Sequence, residues 1–134
     1  MECSKLIETA MQARENAYAP YSKFKVGAAL LAKNGKVYLG CNIENASYSA
    51  TVCAERTAFF KAVSEGVKEF EAIAIVGGKE GELSTSCAPC GVCRQVMAEF
   101  CDEDFKVVLG TPQKYDVYAL EQILPLAFSK TNLR

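Results

Sequence analysis

Histidine is absent from the chain, which removes the commonest metal ligand and the commonest acid or base near neutral pH. Any metal must therefore be held by cysteine, aspartate or glutamate, and any proton carried by a carboxylate, lysine, tyrosine or cysteine. A surplus of charge is missing too: 15 lysines and arginines face 16 aspartates and glutamates, for a formal charge of −1, with no long run of either sign. That balance argues against nucleic acid or an acidic membrane surface as a partner. No apolar run reaches membrane-spanning length, and the segment from Met1 to Leu6 lacks a basic stretch followed by an apolar one, so the expected location is cytoplasmic. Repeats and low-complexity linkers are also lacking. With 134 residues, half of them hydrophobic, the chain can bury one real core but not two ordinary ones. A single domain over 1–134 is expected.

Cysteine, by contrast, is plentiful: seven occur, at positions 3, 41, 53, 87, 90, 93 and 101. An odd number without a secretory signal points away from a disulfide framework and towards metal ligation or catalysis.

Apolar positions Leu6, Ile7, Ala10, Met11, Ala13 and Ala17 recur with helical period over residues 4–18, before Pro20. Residues 24–32 and 36–42 are strand-prone, and Asn34-Gly35 between them can supply the positive backbone angles of a tight hairpin turn, at one edge of a sheet. A buried helix is expected over 53–64, stopping at Gly66, then a strand over 72–76 ended by Gly77-Gly78. A loop over 79–89 leads to a helix at 90–100, strands at 105–109 and 115–118, and a short helix at 120–124. The order α, β, β, α, β, α, β, β, α predicts an α/β fold, a mixed sheet covered by helices on both faces.

Pro89-Cys90-Gly91-Val92-Cys93 places two thiols three residues apart on a predicted first helical turn, with a glycine that permits close backbone approach. Taken alone, the pair fits zinc, a redox dithiol or buried structural cysteines. Cys53-Ala54-Glu55 adds a third thiol at another helix start, with a carboxylate two residues on; the positive ends of both helices help keep thiolates ionised. Three ligands leave one tetrahedral position for water, the mark of a catalytic zinc site, whereas a fourth would close it. Cys87, three residues before Cys90, is the candidate for that fourth ligand. Cys3, Cys41 and Cys101 read as small packing residues.

Cys53-Ala54-Glu55-Arg56, the run from Pro89 to Gln95, Phe24-Lys25-Val26-Gly27-Ala28-Ala29 and Asn42-Ile43-Glu44-Asn45-Ala46 together resemble the zinc-dependent cytidine deaminases. The two cysteine motifs alone would indicate only the wider deaminase superfamily; the Phe24 and Asn42 segments point to its small free-nucleoside enzymes. The likeness extends to Leu124-Pro125-Leu126-Ala127-Phe128. It implies a three-layer α-β-α sandwich with a mixed sheet of about five strands, and one zinc ion per chain held by Cys53, Cys90 and Cys93. The activity implied is hydrolysis of cytidine and deoxycytidine to uridine and deoxyuridine with release of ammonia, in pyrimidine salvage.

The residue types suit that chemistry. Zinc lowers the pKa of water towards neutrality and so makes hydroxide available for attack at C4 of the pyrimidine. In a histidine-free chain Glu55 is the natural carrier of protons to N3 and to the departing amine. Three thiolates outweigh Zn²⁺ by one charge; in the three-cysteine enzymes that the sequence resembles, the arginine at position 56 offsets it by hydrogen-bonding the thiolates. By the same likeness Phe24 stacks on the base, Asn42 and Glu44 hold the ribose with Glu44 accepting from the 3′-hydroxyl, and the backbone at Ala54 and Cys90 meets the pyrimidine edge. Tyr48 and Phe128 match positions that reach neighbouring active sites in homotetramers, so a homotetramer is expected. Within the enzymes the rival is a deaminase of another amino-bearing heterocycle, of the blasticidin S type. From another class, a structural zinc module for protein or RNA binding would need a basic face and a fourth ligand.

Overall fold

The computed structural model describes residues 1–84 and 86–133. Helix α1, Cys3–Arg14, is followed by strands β1, Phe24–Ala32, and β2, Val37–Cys41, and by a short 3-10 helix, Tyr48–Ala50. Helix α2, Ala54–Ser64, strand β3, Phe70–Lys79, and helix α3, Gly91–Phe100, come next. Strands β4, Lys106–Gly110, and β5, Tyr115–Ala119, then lead into helix α4, Leu120–Ile123, and a 3-10 turn, Lys130–Leu133.

Among the described residues five strands form one mixed sheet in the order β2-β1-β3-β4-β5. Only the β3–β4 pairing is parallel, with α3 between its two strands; β1–β2, β1–β3 and β4–β5 are antiparallel. Side chains of period two divide each central strand between two cores. Ala29, Leu31, Ala72, Ala74, Val76 and Val108 face Leu6, Ile7 and Ala10 of α1. Ala28, Leu30, Ile73, Ile75, Val107 and Leu109 face Ala54, Ala58, Phe59 and Ala62 of α2, Met97 of α3 and Leu120 of α4. These are the three layers the sequence implied. Leu6 and Ile7 are almost wholly removed from solvent, and such burial stabilises by about 2 kcal/mol per side chain.

Three sequence expectations needed correction. Helix α1 ends at Arg14 rather than near residue 18, because Tyr18 is taken into pairing with the segment after β2: its N–H donates to the Asn42 carbonyl and its carbonyl accepts from the Glu44 N–H. The hairpin turn is a three-residue loop in which Gly35 alone has positive φ, at 91°. The N–H of Gly35 closes on the Ala32 carbonyl, while Asn34 Oδ1 accepts from the Lys36 N–H. Strand β3 also continues through Gly77 and Gly78, which pair with Val26 and Lys25. Here glycine serves close approach instead of chain reversal: a Cβ at Gly77 would lie 2.5 Å from Cys87 Sγ and 2.9 Å from Phe24 Cε1.

Candidate active site

Cys53 caps the N-terminus of α2 and Cys90 that of α3, with Cys93 in the first turn of α3. Both helices approach from the same face of the sheet, and their mutual placement is fixed by packing. Phe59 of α2 stacks on Phe100 of α3, with ring centroids 6.3 Å apart, and meets Phe70 of β3 edge-on at 5.1 Å. Gly40 of β2 lets α2 settle onto the sheet, since a Cβ there would lie 2.2 Å from the Ala54 carbonyl oxygen. The consequence is convergence of three sulfurs across 40 residues of sequence.

Cys53 Sγ lies 3.7 Å from Cys90 Sγ, Cys90 Sγ lies 3.5 Å from Cys93 Sγ, and all three fall within 4.8 Å of one another. Sulfurs bound tetrahedrally at the usual zinc–sulfur length of about 2.3 Å stand about 3.8 Å apart, so the cluster already has the dimensions of a zinc site. Cys87 is not part of it. Burial pushes the Cys87 thiol up to about 11, with further repulsion from Glu55 and Cys53. Cys93 is buried and Cys90 exposed, so the cluster reaches from the core to the surface.

The thiols share protons unequally. A hydrogen bond from Cys93 holds the Cys53 thiol down at about 5, aided by Arg56 and Cys90, while the same bond and burial push Cys93 up. Arg56 Nη2 donates to Cys53 Sγ at 3.5 Å. Arg56 thus brings positive charge directly to the Cys53 sulfur. Glu55, in the first turn of α2, is only 4% exposed. Burial pushes its carboxyl up to about 7, and the Cys53 charge adds to the effect against the opposing pull of its own backbone N–H. A carboxyl poised near neutrality can both take up and release a proton at working pH.

A model of the cytidine and deoxycytidylate deaminase zinc-binding region matches residues 1–111. A cytidine deaminase of Sporosarcina psychrophila is 56% identical over 99% of this chain and 96% of its own length. The chain belongs to the cytidine deaminase family. Another relative, the cytidine deaminase of Halalkalibacterium halodurans, is 52% identical over 99% of this chain and 98% of its own. The crystal structure of cytidine deaminase from Burkholderia pseudomallei superposes with a TM-score of 0.86 at 52% identity, covering 96% of this chain and all of that one. A blasticidin-S deaminase of Bacillus cereus is more distant, at 32% identity over 81% of this chain and 80% of its own.

The residues that cytidine deaminase likeness assigned to the substrate divide into two groups. Phe24 and Asn42 lie in register with the side chains that face α2, as does Gly77 of β3, so they share the face carrying Glu55 and the cysteines. The Phe24 ring and Cys87 sulfur both crowd Gly77, and Cys87 in turn feels the Glu55 charge. Asn42 is buried and binds the start of β1 on both sides: Oδ1 accepts from the Val26 N–H at 2.8 Å, and Nδ2 donates to the Phe24 carbonyl at 2.9 Å. Glu44, also buried, accepts on Oε1 from the N–H groups of Tyr21 and Ser22 at 3.0 and 3.1 Å, and on Oε2 from the Ser22 hydroxyl. Hydrogen bonding from Ser22, above all its hydroxyl, holds the Glu44 carboxyl below its ordinary value. Asn42 and Glu44 therefore converge on one stretch, residues 21–26.

Tyr48 and Phe128 stand apart, at 78% and 63% exposure. The tail that carries Phe128 is tied to helix α3 by two side chains directly after Cys93. Arg94 donates from Nη1 to the Ile123 carbonyl at 2.7 Å and from Nε to the Pro89 carbonyl at 2.8 Å, and Gln95 Nε2 donates to the Phe128 carbonyl at 2.7 Å. Sequence reasoning placed Arg94 and Gln95 in a motif without giving them work, and it passed over Ser22. The available signal for Ser22 was the polar turn Pro20-Tyr21-Ser22-Lys23 set directly before Phe24.

Proposed function

We infer that the protein is a zinc-dependent cytidine deaminase, hydrolysing cytidine to uridine and ammonia. The observation that carries this reading is the buried Glu55 beside three sulfurs spaced for one zinc ion, in a chain alike over its whole length to enzymes named for that activity. Cys53, Cys90 and Cys93 would hold one zinc ion per chain, which when bound supplies the Lewis acidity that lowers the pKa of water towards neutrality. Binding displaces the protons shared among the thiols, because thiolate is the ligand form.

The chain's own groups perform the rest. Glu55 takes a proton from water and delivers it to N3 as C4 is attacked, then takes the remaining proton of the hydroxyl added at C4 and passes it to the departing amine, so its carboxylate is regenerated after each cycle. Atoms balance as cytidine plus water giving uridine plus ammonia. The Arg56 guanidinium offsets the negative charge that three thiolates leave on a divalent ion. The Phe24 ring provides a flat apolar wall for the pyrimidine, and the backbone of Ala54 and Cys90, at the starts of α2 and α3, supplies polar groups for its edge. Asn42, with one amide N–H and one lone pair still available after binding β1, and Glu44, with a lone pair on Oε2, hold the ribose. Because Glu44 is assigned to the 3′-hydroxyl, deoxycytidine is a substrate as well.

The reading takes residues 1–134 as one deaminase domain of a cytoplasmic homotetramer working in pyrimidine salvage. The exposed rings of Tyr48 and Phe128 support the assembly, since aromatic side chains left in solvent are suited to reach a neighbouring copy. Among the described residues no helix is long and apolar enough to cross a membrane.

The test is ammonia release and ultraviolet absorbance change on incubation with cytidine, beside Glu55→Gln, with zinc determined for both. Turnover by the parent, a fall of about 100-fold or more in the variant, and one zinc per chain in each are expected. A parent that holds zinc but leaves cytidine and deoxycytidine unchanged would overturn the substrate and leave the metal centre standing.

A further inference from the structure

Ser22 sits between two groups that the proposed function assigns to opposite ends of the nucleoside. Its hydroxyl donates to Glu44 Oε2 and accepts from the Phe24 N–H at 3.0 Å. Its backbone N–H joins that of Tyr21 on Glu44 Oε1. Lys23, the next residue, has φ of 61°, a conformation non-glycine residues seldom adopt, and its own N–H donates to the Ala19 carbonyl, so the N–H groups on the carboxylate are those of Tyr21 and Ser22.

The donor count gives this arrangement its meaning. A carboxylate accepts in about four lone-pair directions. The turn fills both on Oε1 and one on Oε2, leaving a single acceptor direction on the oxygen that Ser22 holds. Without the hydroxyl, Oε2 would keep no partner and the carboxylate plane could swing about its two bonds to Oε1. The link from Ser22 Oγ to the Phe24 backbone would be lost in the same step.

We propose that Ser22 is a positioning residue for nucleoside binding: its hydroxyl orients the free lone pair of Glu44 Oε2 towards the sugar and ties that orientation to the strand start bearing Phe24. The inference rests on the reading of Glu44 as acceptor for the 3′-hydroxyl. Ser22 touches no reacting atom, so its removal weakens binding of ground state and transition state alike and appears in KM rather than in kcat.

The experiment assays Ser22→Ala, Ser22→Cys, Ser22→Thr and Glu44→Gln against cytidine and 3′-deoxycytidine, with zinc content and thermal melting for each. Ser22→Ala is expected to raise KM for cytidine by about 10- to 100-fold, the loss of one hydrogen bond to a charged group. It should leave kcat, zinc content and the KM for 3′-deoxycytidine near those of the parent. Ser22→Cys, a close match in shape with a weak donor, carries the same expectation should the alanine variant fold poorly, and Ser22→Thr restores the cytidine KM. Glu44→Gln should abolish the preference for cytidine over its 3′-deoxy analogue. If that preference survives in Glu44→Gln, the reading of Glu44 falls and the proposal with it. If it is lost there but the Ser22 variants raise KM equally for both substrates, or act on kcat, the proposal alone is overturned.

Discussion

Arg56 and Glu55 are adjacent in sequence yet meet opposite electrostatic demands, the first adding positive charge beside thiolates and the second losing its charge to burial. Arg56→Ala removes the donor to Cys53 Sγ and exposes the thiolates to their mutual repulsion. Removing a group that supports a metal ligand in this way costs about 10- to 100-fold in metal affinity or activity. The expected outcome is a folded protein that yields zinc to a chelator that much more readily, read by timed zinc release. Glu55 makes a prediction in pH. Its carboxyl titrates near 7 in the folded protein against an ordinary value of 4.5, so the folded state binds the proton more tightly. The stability contributed by the neutral acid is full below about pH 4.5 and is lost as pH rises through about 7. Chelator-treated protein should therefore lose about 3 kcal/mol relative to Glu55→Gln between pH 4.5 and pH 7.5. Urea denaturation of both proteins at the two pH values measures it, and parallel curves would contradict it.

Helix α2 starts from Cys53, the proposed metal ligand, and carries Glu55, the proposed proton carrier, so its seat on β2 sets where both stand. That seat depends on Gly40, where an added Cβ would meet the Ala54 carbonyl oxygen at 2.2 Å and the Ala58 nitrogen at 2.6 Å. These are backbone atoms that cannot turn aside. Gly40→Ala should lift α2 from the sheet, lowering stability by about 1–3 kcal/mol, as overpacking does. Because Cys53 and Glu55 sit at the start of the displaced helix, zinc content and turnover should fall with it. Calorimetry beside zinc analysis checks both parts; a stable variant with full zinc would show that the helix has another way to settle.

The assembled molecule is expected to enclose aromatic surface that a single chain leaves in water. Tyr48 and Phe128 project from opposite sequence regions, and Leu126, beside Phe128, is fully exposed. Light scattering after size exclusion should give four times the chain mass. Phe128→Ala should reduce that mass or, if assembly survives, raise KM for cytidine without loss of zinc. A monomer of full activity would remove the basis for placing either ring at an active site.

The chain by itself was enough for the family and for the order of elements. Cys53, Cys90 and Cys93 stood out at predicted helix starts, with Cys87 left open as a fourth ligand until the family likeness named the three, and the same likeness together with the absence of histidine pointed to Glu55 as the proton carrier. The order α, β, β, α, β, α, β, β, α pointed to a mixed sheet covered by helices on both faces. What sequence could not supply was any quantity fixed by contacts between distant segments. Gly77-Gly78 read as a strand end because glycine breaks strands locally, whereas packing against Cys87 and Phe24 makes it the residue that lets the strand continue. Helix α1 stops at Arg14 because Tyr18 pairs with residues more than 20 positions away. Exclusion of Cys87 from the cluster, the neutral bias of Glu55 and the grip of Ser22 on Glu44 likewise depend on burial and hydrogen bonds across the fold, which no local pattern encodes.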